Sequence, residues 1–196
     1  YGIQIEGFEH RQMMTMMNYN FDYYPRLLET AGFEKEVDFV SCYLHKDAFI
    51  LPPKIQEVAR RILQRGKFKV LQFKNKRQMI KEWADKIGVA YNNTFVNNWE
   101  YYPLTKREIE MLLKNLMEVI DPKLIKIITY EDQIAGFLLA FPDITSALQR
   151  HGGKITPFAI LDILRSFKKT NWVSINGAGV LPEYHGSGIR VVLLVS

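Results

Sequence analysis

The stretch that most limits what this chain can fold into is Trp172-Val-Ser-Ile-Asn-Gly-Ala-Gly-Val-Leu-Pro-Glu-Tyr-His-Gly-Ser-Gly-Ile-Arg-Val-Val-Leu-Leu. It reads as an apolar strand, a turn punctuated by Pro182, Gly186 and Gly188, and an apolar run that suits the start of a buried helix. A Gly-containing turn entering a helix exposes backbone N–H groups beside the positive end of the helix dipole, which suits a phosphate or pyrophosphate. Gly186 and Gly188 lack Cβ, so a ligand can approach the backbone closely. The same residues also suit a plain strand–turn–helix with no ligand. Two glycines at this spacing do not separate the two readings.

Composition narrows the class. A hydrophobic share of 47% and an aromatic share of 13% across 196 residues fit a globular chain with a true core. No apolar run approaches the roughly 20 residues of a membrane span, and no cleavable signal pattern opens the chain. The single Cys42 cannot form an intrachain disulfide; it reads as a small core residue in a strand, in a reduced cytoplasmic setting. The chain opens at Tyr1 without an initiator Met and stops at Ser196 a few residues into an expected helix, the pattern of a piece of a longer protein.

In chain order, Met13, Met14, Met16 and Met17 flank Thr15 in an apolar run that suits a buried strand or a soft partner surface. Asp22 to Ala31 reads as a helix capped at Asp22 or Tyr23, with Pro25 in its first turn, Leu27 and Leu28 on its apolar face and Gly32 as its stop. Residues 33–44 alternate like a strand with Val37, Phe39 and Tyr43 on one side. His45 to Pro53 is a boundary. A helix follows to Gln64 with Ile55, Val58, Ala59 and Ile62 as its stripe, then a strand over 67–73.

Between Lys54 and Lys81 ten Lys or Arg face one acid, Glu57, a local balance of +9 in a chain that totals +5. This is a solvated basic face or a site for RNA, an acidic partner or a phosphate-bearing ligand. Residues 76–95 have helical spacing at Met79, Ile80, Trp83, Ile87 and Tyr91, with Asn92, Asn93, Asn97 and Asn98 as breakers. Thr105-Lys-Arg-Glu108 has the capping-box form, ahead of Ile109, Leu112, Leu113, Leu116 and Ile120. Two strand runs, 124–130 and 134–141, flank Glu131-Asp132-Gln133 as a hairpin, and Gly136 marks a bulge or close packing. Asp143 caps a short helix to Arg150, His151-Gly-Gly breaks it, and Pro157 to Lys168 forms another.

The run Val180-Leu-Pro-Glu-Tyr-His-Gly-Ser-Gly-Ile resembles the acyl-CoA-binding segment of GNAT-type N-acyltransferases. In that family a strand ends in a Val-x-Pro-x-Tyr-like segment, and an Arg/Gln-x-x-Gly-x-Gly/Ala turn holds the CoA pyrophosphate. The resemblance implies that Val180 and Leu181 lie along the pantetheine arm. His185, Gly186, Ser187, Gly188 and Ile189 would then form the pyrophosphate loop, with Arg190 closing it. His185 stands where the family has Arg or Gln, and Arg190 where it has Gly or Ala. Tyr24-Pro-Arg-Leu-Leu-Glu-Thr-Ala-Gly-Phe-Glu-Lys is similar to the closing helix and strand of a GNAT domain. The family's general-acid Tyr position is Leu28 here; Tyr24 lies one turn earlier.

The order of elements is likewise similar to the first part of a GNAT domain. The resemblance implies a mixed α/β (α+β) fold, a central mixed sheet flanked by helices. Residues 1–48 would be the tail of a first GNAT-like domain, 49–66 a linker and helix, and 67–196 a second domain ending after the pyrophosphate loop. A circularly permuted single domain is the alternative. The implied activity is an N-acetyltransferase using acetyl-CoA or another acyl-CoA, with a small-molecule or peptide amine as acceptor. The substrate amine would attack the thioester while strand amides near Val180 polarise its carbonyl.

No residue is identified as the catalytic base or acid. Ser174 and Asn176 lie on the cofactor strand as ordinary sheet residues or substrate contacts, and Glu183 as an exposed turn carboxylate. His10, His45 and His151 have no metal-like spacing with each other or with Cys42, so no metal is expected. No nucleophile elbow or Walker-type loop is present. A Fem-like aminoacyl transferase, with the basic 54–81 stretch meeting tRNA, is the enzyme alternative. A non-catalytic binding or assembly domain, motivated by Leu28, His185 and Arg190, is the other. No membrane partner is expected; a homo-oligomer is a further partner reading.

Overall fold

The structure, a computed structural model, describes residues 2–9, 18–45, 47–99, 101–116 and 120–196, the side chains at 113–116 excepted. Its elements are α1 (Tyr24–Thr30), α2 (Pro53–Gln64), β1 (Phe68–Val70), α3 (Lys76–Phe95), α4 (Lys106–Leu116), β2 (Ile125–Tyr130), β3 (Gln133–Pro142), α5 (Thr145–Arg150), α6 (Pro157–Lys169), β4 (Val173–Val180) and α7 (Ile189–Val195). This is the mixed α+β class that the resemblance implied, although the expected mixed sheet is antiparallel throughout the described strands. The chain divides into two compact units, one of Ile50–Pro142 with Val173–Ser196 and one of Tyr1–Phe49 with Asp143–Trp172.

The larger unit holds a sheet in the order β1-β2-β3-β4, antiparallel at every pairing. The β2–β3 turn is Glu131-Asp132, both at positive φ (46° and 66°). Two left-handed residues are what a tight hairpin needs for its turn to match the twist of the strands. Ile128 pairs with Gly136 but Thr129 pairs with Ile134, which leaves Ala135 as a bulge. One extra residue inverts the alternation of faces. Ile134 and Phe137 therefore enter the same core although they are three apart, while Ala135 enters the other. Gly136 is packed as expected: a Cβ there would lie 3.1 Å from Gly179 O and 3.3 Å from Leu193 Cδ1.

Each face of the sheet is covered by helices. On one, Met79, Ile87 and Ala90 of α3 pack on Ile125, Ile127 and Phe137. On the other, Ala59 and Ile62 of α2 join Ile189, Val192 and Leu193 of α7 over Ile128, Ala135 and Val180. Burying a side chain such as Phe137 or Ile127 contributes about 1.5–3 kcal/mol, so these two layers hold the sheet. Asn75 caps α3 by accepting from Gln78 N at 2.9 Å. The Thr105–Glu108 box forms: Glu108 accepts from Thr105 N at 2.7 Å and Thr105 Oγ1 from Glu108 N at 3.3 Å. Glu108 is held below the usual carboxylate range by the Thr105 hydroxyl first and its N–H second. Asn92 and Asn93 do not break α3 but lie within it. Asn92 donates to Leu104 O at 2.8 Å and accepts from Leu104 N at 2.9 Å, tying the approach to α4.

In the smaller unit α1 forms as read, with Pro25 in its first turn and Gly32 at φ 88° as its stop. Phe33 N donates to Leu28 O at 3.0 Å there. Leu27 and Leu28 are exposed, and no residue of α1 is buried. Residues 33–45 form no strand, contrary to their alternation, and Phe33, Phe39 and Tyr43 stand exposed. Alternation prepares two faces, but a strand also needs a neighbour to take its N–H and C=O groups. None of the described residues supplies one. Cys42 accordingly is exposed and not a core residue. The strand expected over 67–73 is shorter, Phe68–Val70, prolonged only by Leu71 N donating to Ile127 O at 2.8 Å. The methionine run 13–17 lies outside the described residues.

Helices α5 and α6 are joined by side chains. Thr156 caps α6, accepting from Ala159 N at 3.1 Å. Arg150 grips Asp162 with two donors at 3.0 and 3.1 Å, and His151 Nε2 lies 3.1 Å from the same carboxylate. The Arg150 guanidinium, with His151 second, holds the Asp162 carboxyl below its usual value.

Candidate cofactor site

Strand β4 is the last in the order and, among the described residues, pairs with β3 alone. Its pairing also slips: Leu139 faces Gly177 but Ala140 faces Ile175, so Asn176 bulges out of register. Ser174 and Asn176 are half-buried on this strand. At its end Val180 and Leu181 are 5% and 7% exposed and enter opposite cores. Their side chains are therefore packing residues, and only their backbone can meet a ligand.

From Leu181 the chain makes a single 3-10 turn, Pro182–Tyr184, and reaches Gly188, the residue before α7. Gly186 and Gly188 both have φ 82°, a region where a Cβ is strained. Gly186 has nothing within 4 Å of where a Cβ would lie, whereas at Gly188 that position is 2.7 Å from Ile62 Cδ1. The turn is thus open on the Gly186 side and seated on α2 at Gly188.

The hydrogen bonds of this loop show what is left free. His185 N donates to Pro182 O at 3.0 Å, Ser187 N to Tyr184 O at 3.2 Å, and Ile189 N to Ser187 Oγ at 3.4 Å. The N–H groups of Gly186, Gly188 and Arg190 have no acceptor among the described residues. They are the orphan donors of a helix start, which bind anions. His185 Nε2 lies 3.0 Å from Val180 O. A carbonyl oxygen only accepts, so Nε2 carries the proton and the ring ties the turn back to β4. Ile189 is 1% exposed and belongs to the core, while Arg190 is exposed, so its side chain does not fill the turn.

Tyr184, which the sequence reading placed in the motif without a role, seats the turn. Its ring meets Tyr130 at 5.6 Å and Phe68 at 6.1 Å between centroids. Burial first, then the Glu183 carboxylate, pushes its phenol up from the usual value, so it stays a proton donor. Glu183 itself is exposed. Tyr24 and Leu28 belong to the other compact unit.

The contact of Ile62 with Gly188 places the last turn of α2 at the loop. That turn carries Arg61, with Arg65 and Lys67 just beyond, all exposed. Arg61 pairs with Glu57. On the α3 face an apolar cavity of about 40 Å³ is lined by Met79, Ile87, Ile125 and Phe141 among others. Among the described residues no three His, Cys, Asp or Glu converge to hold a metal, and no helix is long and apolar enough to cross a membrane.

No family model matches the chain. It is 21% identical over 194 residues to "Protein YghO" of Escherichia coli (strain K12), an alignment covering 98% of this chain and 48% of that protein. It is 24% identical over 172 residues to "Bacterial ceramide synthase" of Caulobacter vibrioides (strain NA1000 / CB15N), covering 85% and 42% respectively. The chain thus spans about half the length of the curated relatives it matches.

Proposed function

We propose that this chain is the cofactor-binding part of an acyl-CoA-dependent N-acyltransferase, acting in the cytoplasm on an amine that it does not itself identify. The observation that carries the reading is β4 running into a turn whose Gly186, Gly188 and Arg190 N–H groups have no acceptor among the described residues. An anionic group would find backbone partners at the turn, and an extended arm could run along the side of β4 away from β3. Acyl-CoA has both parts. The outward Arg190 and the open space at Gly186 leave room for the pyrophosphate. Arg65 and Lys67 add positive charge at the same end of α2.

The chemistry that follows is attack of the amine nitrogen on the thioester carbonyl: the C–N bond forms, the C–S bond breaks, and the proton lost by nitrogen ends on the departing thiolate. The role of this chain is to hold the thioester in line and to direct donors at its carbonyl oxygen as charge develops there. The name of the Caulobacter relative denotes the making of a ceramide, which is an amide, and is consistent with acyl transfer to nitrogen. Leu28, which cannot donate a proton, favours the competing reading of a binding or assembly domain without catalysis.

Calorimetric titration of acetyl-CoA into the full-length protein and its Gly186→Glu variant tests the reading. Binding that the variant abolishes supports it, since a carboxylate at 186 would occupy the anion's place. An absence of binding to the unaltered protein, to acetyl-CoA and to a longer acyl-CoA alike, would sink it.

A further inference from the structure

Helix α6 carries an apolar side that nothing in the described chain covers. Phe158, Leu161 and Leu164 are 79%, 53% and 56% exposed, and Ile155, just before the helix, is 67% exposed. The three helical residues follow a spacing of three, so they share one side, opposite the buried Ala159. On that outward side the last turn continues with Arg165, Lys168 and Lys169, all exposed and in no ion pair among the described residues. The only carboxylate of α6, Asp162, lies at the edge of this side, one turn from Phe158 and Arg165, where it is held by Arg150 and His151. The outward side is therefore apolar in its first two turns and cationic in its last, and the one carboxylate at its edge is paired.

Two partners fit an exposed apolar stripe: another protein surface, or a bilayer. The cations decide between them. Lysine is depleted at the centres of protein interfaces, because an ammonium there loses its water without a matched partner. At a lipid surface the same lysines reach headgroup phosphates while the apolar side chains sink below them. Lys168 and Lys169 also complement the negative end of the helix dipole, but that does not account for the uncovered Phe158 and Leu161. We propose that α6 docks the protein on an anionic membrane surface, its axis in the plane of the interface, with Phe158, Leu161 and Leu164 inserted and Arg165, Lys168 and Lys169 on the headgroups. This departs from the sequence-based expectation of no membrane partner, which rested on the lack of a spanning segment; an interfacial helix needs none. It stands apart from the acyl-transfer reading, since it involves no cofactor and no residue of the 180–190 turn.

The test is co-sedimentation of the full chain with vesicles of phosphatidylcholine containing about a third phosphatidylserine, and with phosphatidylcholine alone. The expected result is binding to the anionic vesicles that weakens at high salt. The Phe158→Ser/Leu161→Ser variant should lower the partition constant by about tenfold or more, and Lys168→Glu/Lys169→Glu by a similar factor. Because all four side chains are exposed, circular dichroism should show every variant folded. The proposal is overturned if the unaltered chain stays in solution. It is also overturned if the Ser variant sediments as well as the unaltered chain, which would assign any binding to the basic 54–81 stretch. Dimerisation that the Ser variant abolishes would overturn it too, by showing a second copy on the stripe.

Discussion

Thr94 fills the space that the side chain of Gly179 would need: a Cβ at 179 would lie 2.3 Å from Thr94 Cγ2. The strand can run this close under α3 because position 179 has no side chain. Relief would need the threonine to change its χ1 well or the strand to move away from α3. Gly179→Ala is expected to lower stability by about 1–3 kcal/mol through overpacking, while Gly177→Ala, whose Cβ would meet Tyr91 at an ordinary 3.4 Å, costs less. Urea denaturation of the two variants makes the comparison, and equal midpoints would refute it.

Thr94 has a second property: its buried hydroxyl has no hydrogen-bond partner among the described residues. A buried hydroxyl without a partner costs on the order of 1–3 kcal/mol. Thr94→Val keeps the shape and removes the polar atom. We expect the variant to be as stable as the parent or more so, by up to about 1 kcal/mol, read as the thermal midpoint. A marked fall would show that the hydroxyl has a partner after all.

The two left-handed glycines of the turn should respond differently. Gly186→Ala meets only backbone strain, about 1–2 kcal/mol, since its surroundings are open. Gly188→Ala meets that strain and also Ile62 Cδ1 at 2.7 Å. It should lose more, and Ile62→Val, which removes that methyl, should restore part of the difference. A double-mutant cycle with no coupling between 62 and 188 would contradict the packing described.

Acid should loosen the α5–α6 pair. The folded state lowers the Asp162 pKa from its ordinary 3.8, chiefly through Arg150. A depressed carboxylate pKa means the contribution to stability is present above the unfolded value and is lost as pH falls through the folded one. Titration of the Asp162 side-chain carbon by NMR should give a midpoint below 3.8, and Arg150→Met should move it upward. A midpoint unchanged in that variant would remove Arg150 as the cause.

The parts of this fold that could be read in the sequence are those fixed by neighbours in the chain. The Val173–Val180 strand, the turn glycines and α7 follow from a local pattern, as does the reciprocal pairing of Thr105 with Glu108. The failures come where a residue depends on something distant. Residues 33–44 alternate correctly for a strand, but no local signal says whether a second strand will come alongside. The Arg150–His151–Asp162 contact joins positions 11 and 12 apart across a broken helix, and no spacing rule connects them. Within the candidate site the turn was legible and its seat was not. Tyr184 against Tyr130 and Phe68, and Ile62 under Gly188, arise only once the sheet and α2 have been assembled.

Pro142 and Val173 are Cα partners across the β3–β4 ladder, and Asp143 N reaches Trp172 O at 3.0 Å just beyond them. The chain therefore leaves the sheet and re-enters it at adjacent points, and the ladder closes behind the excursion as it would behind a short hairpin turn. Everything between those points is an insertion in the sequence of the sheet. Its length and helices can change without altering the register of a single β3–β4 pair, so the sheet and its glycine turn are free to stay constant while the inserted piece specialises.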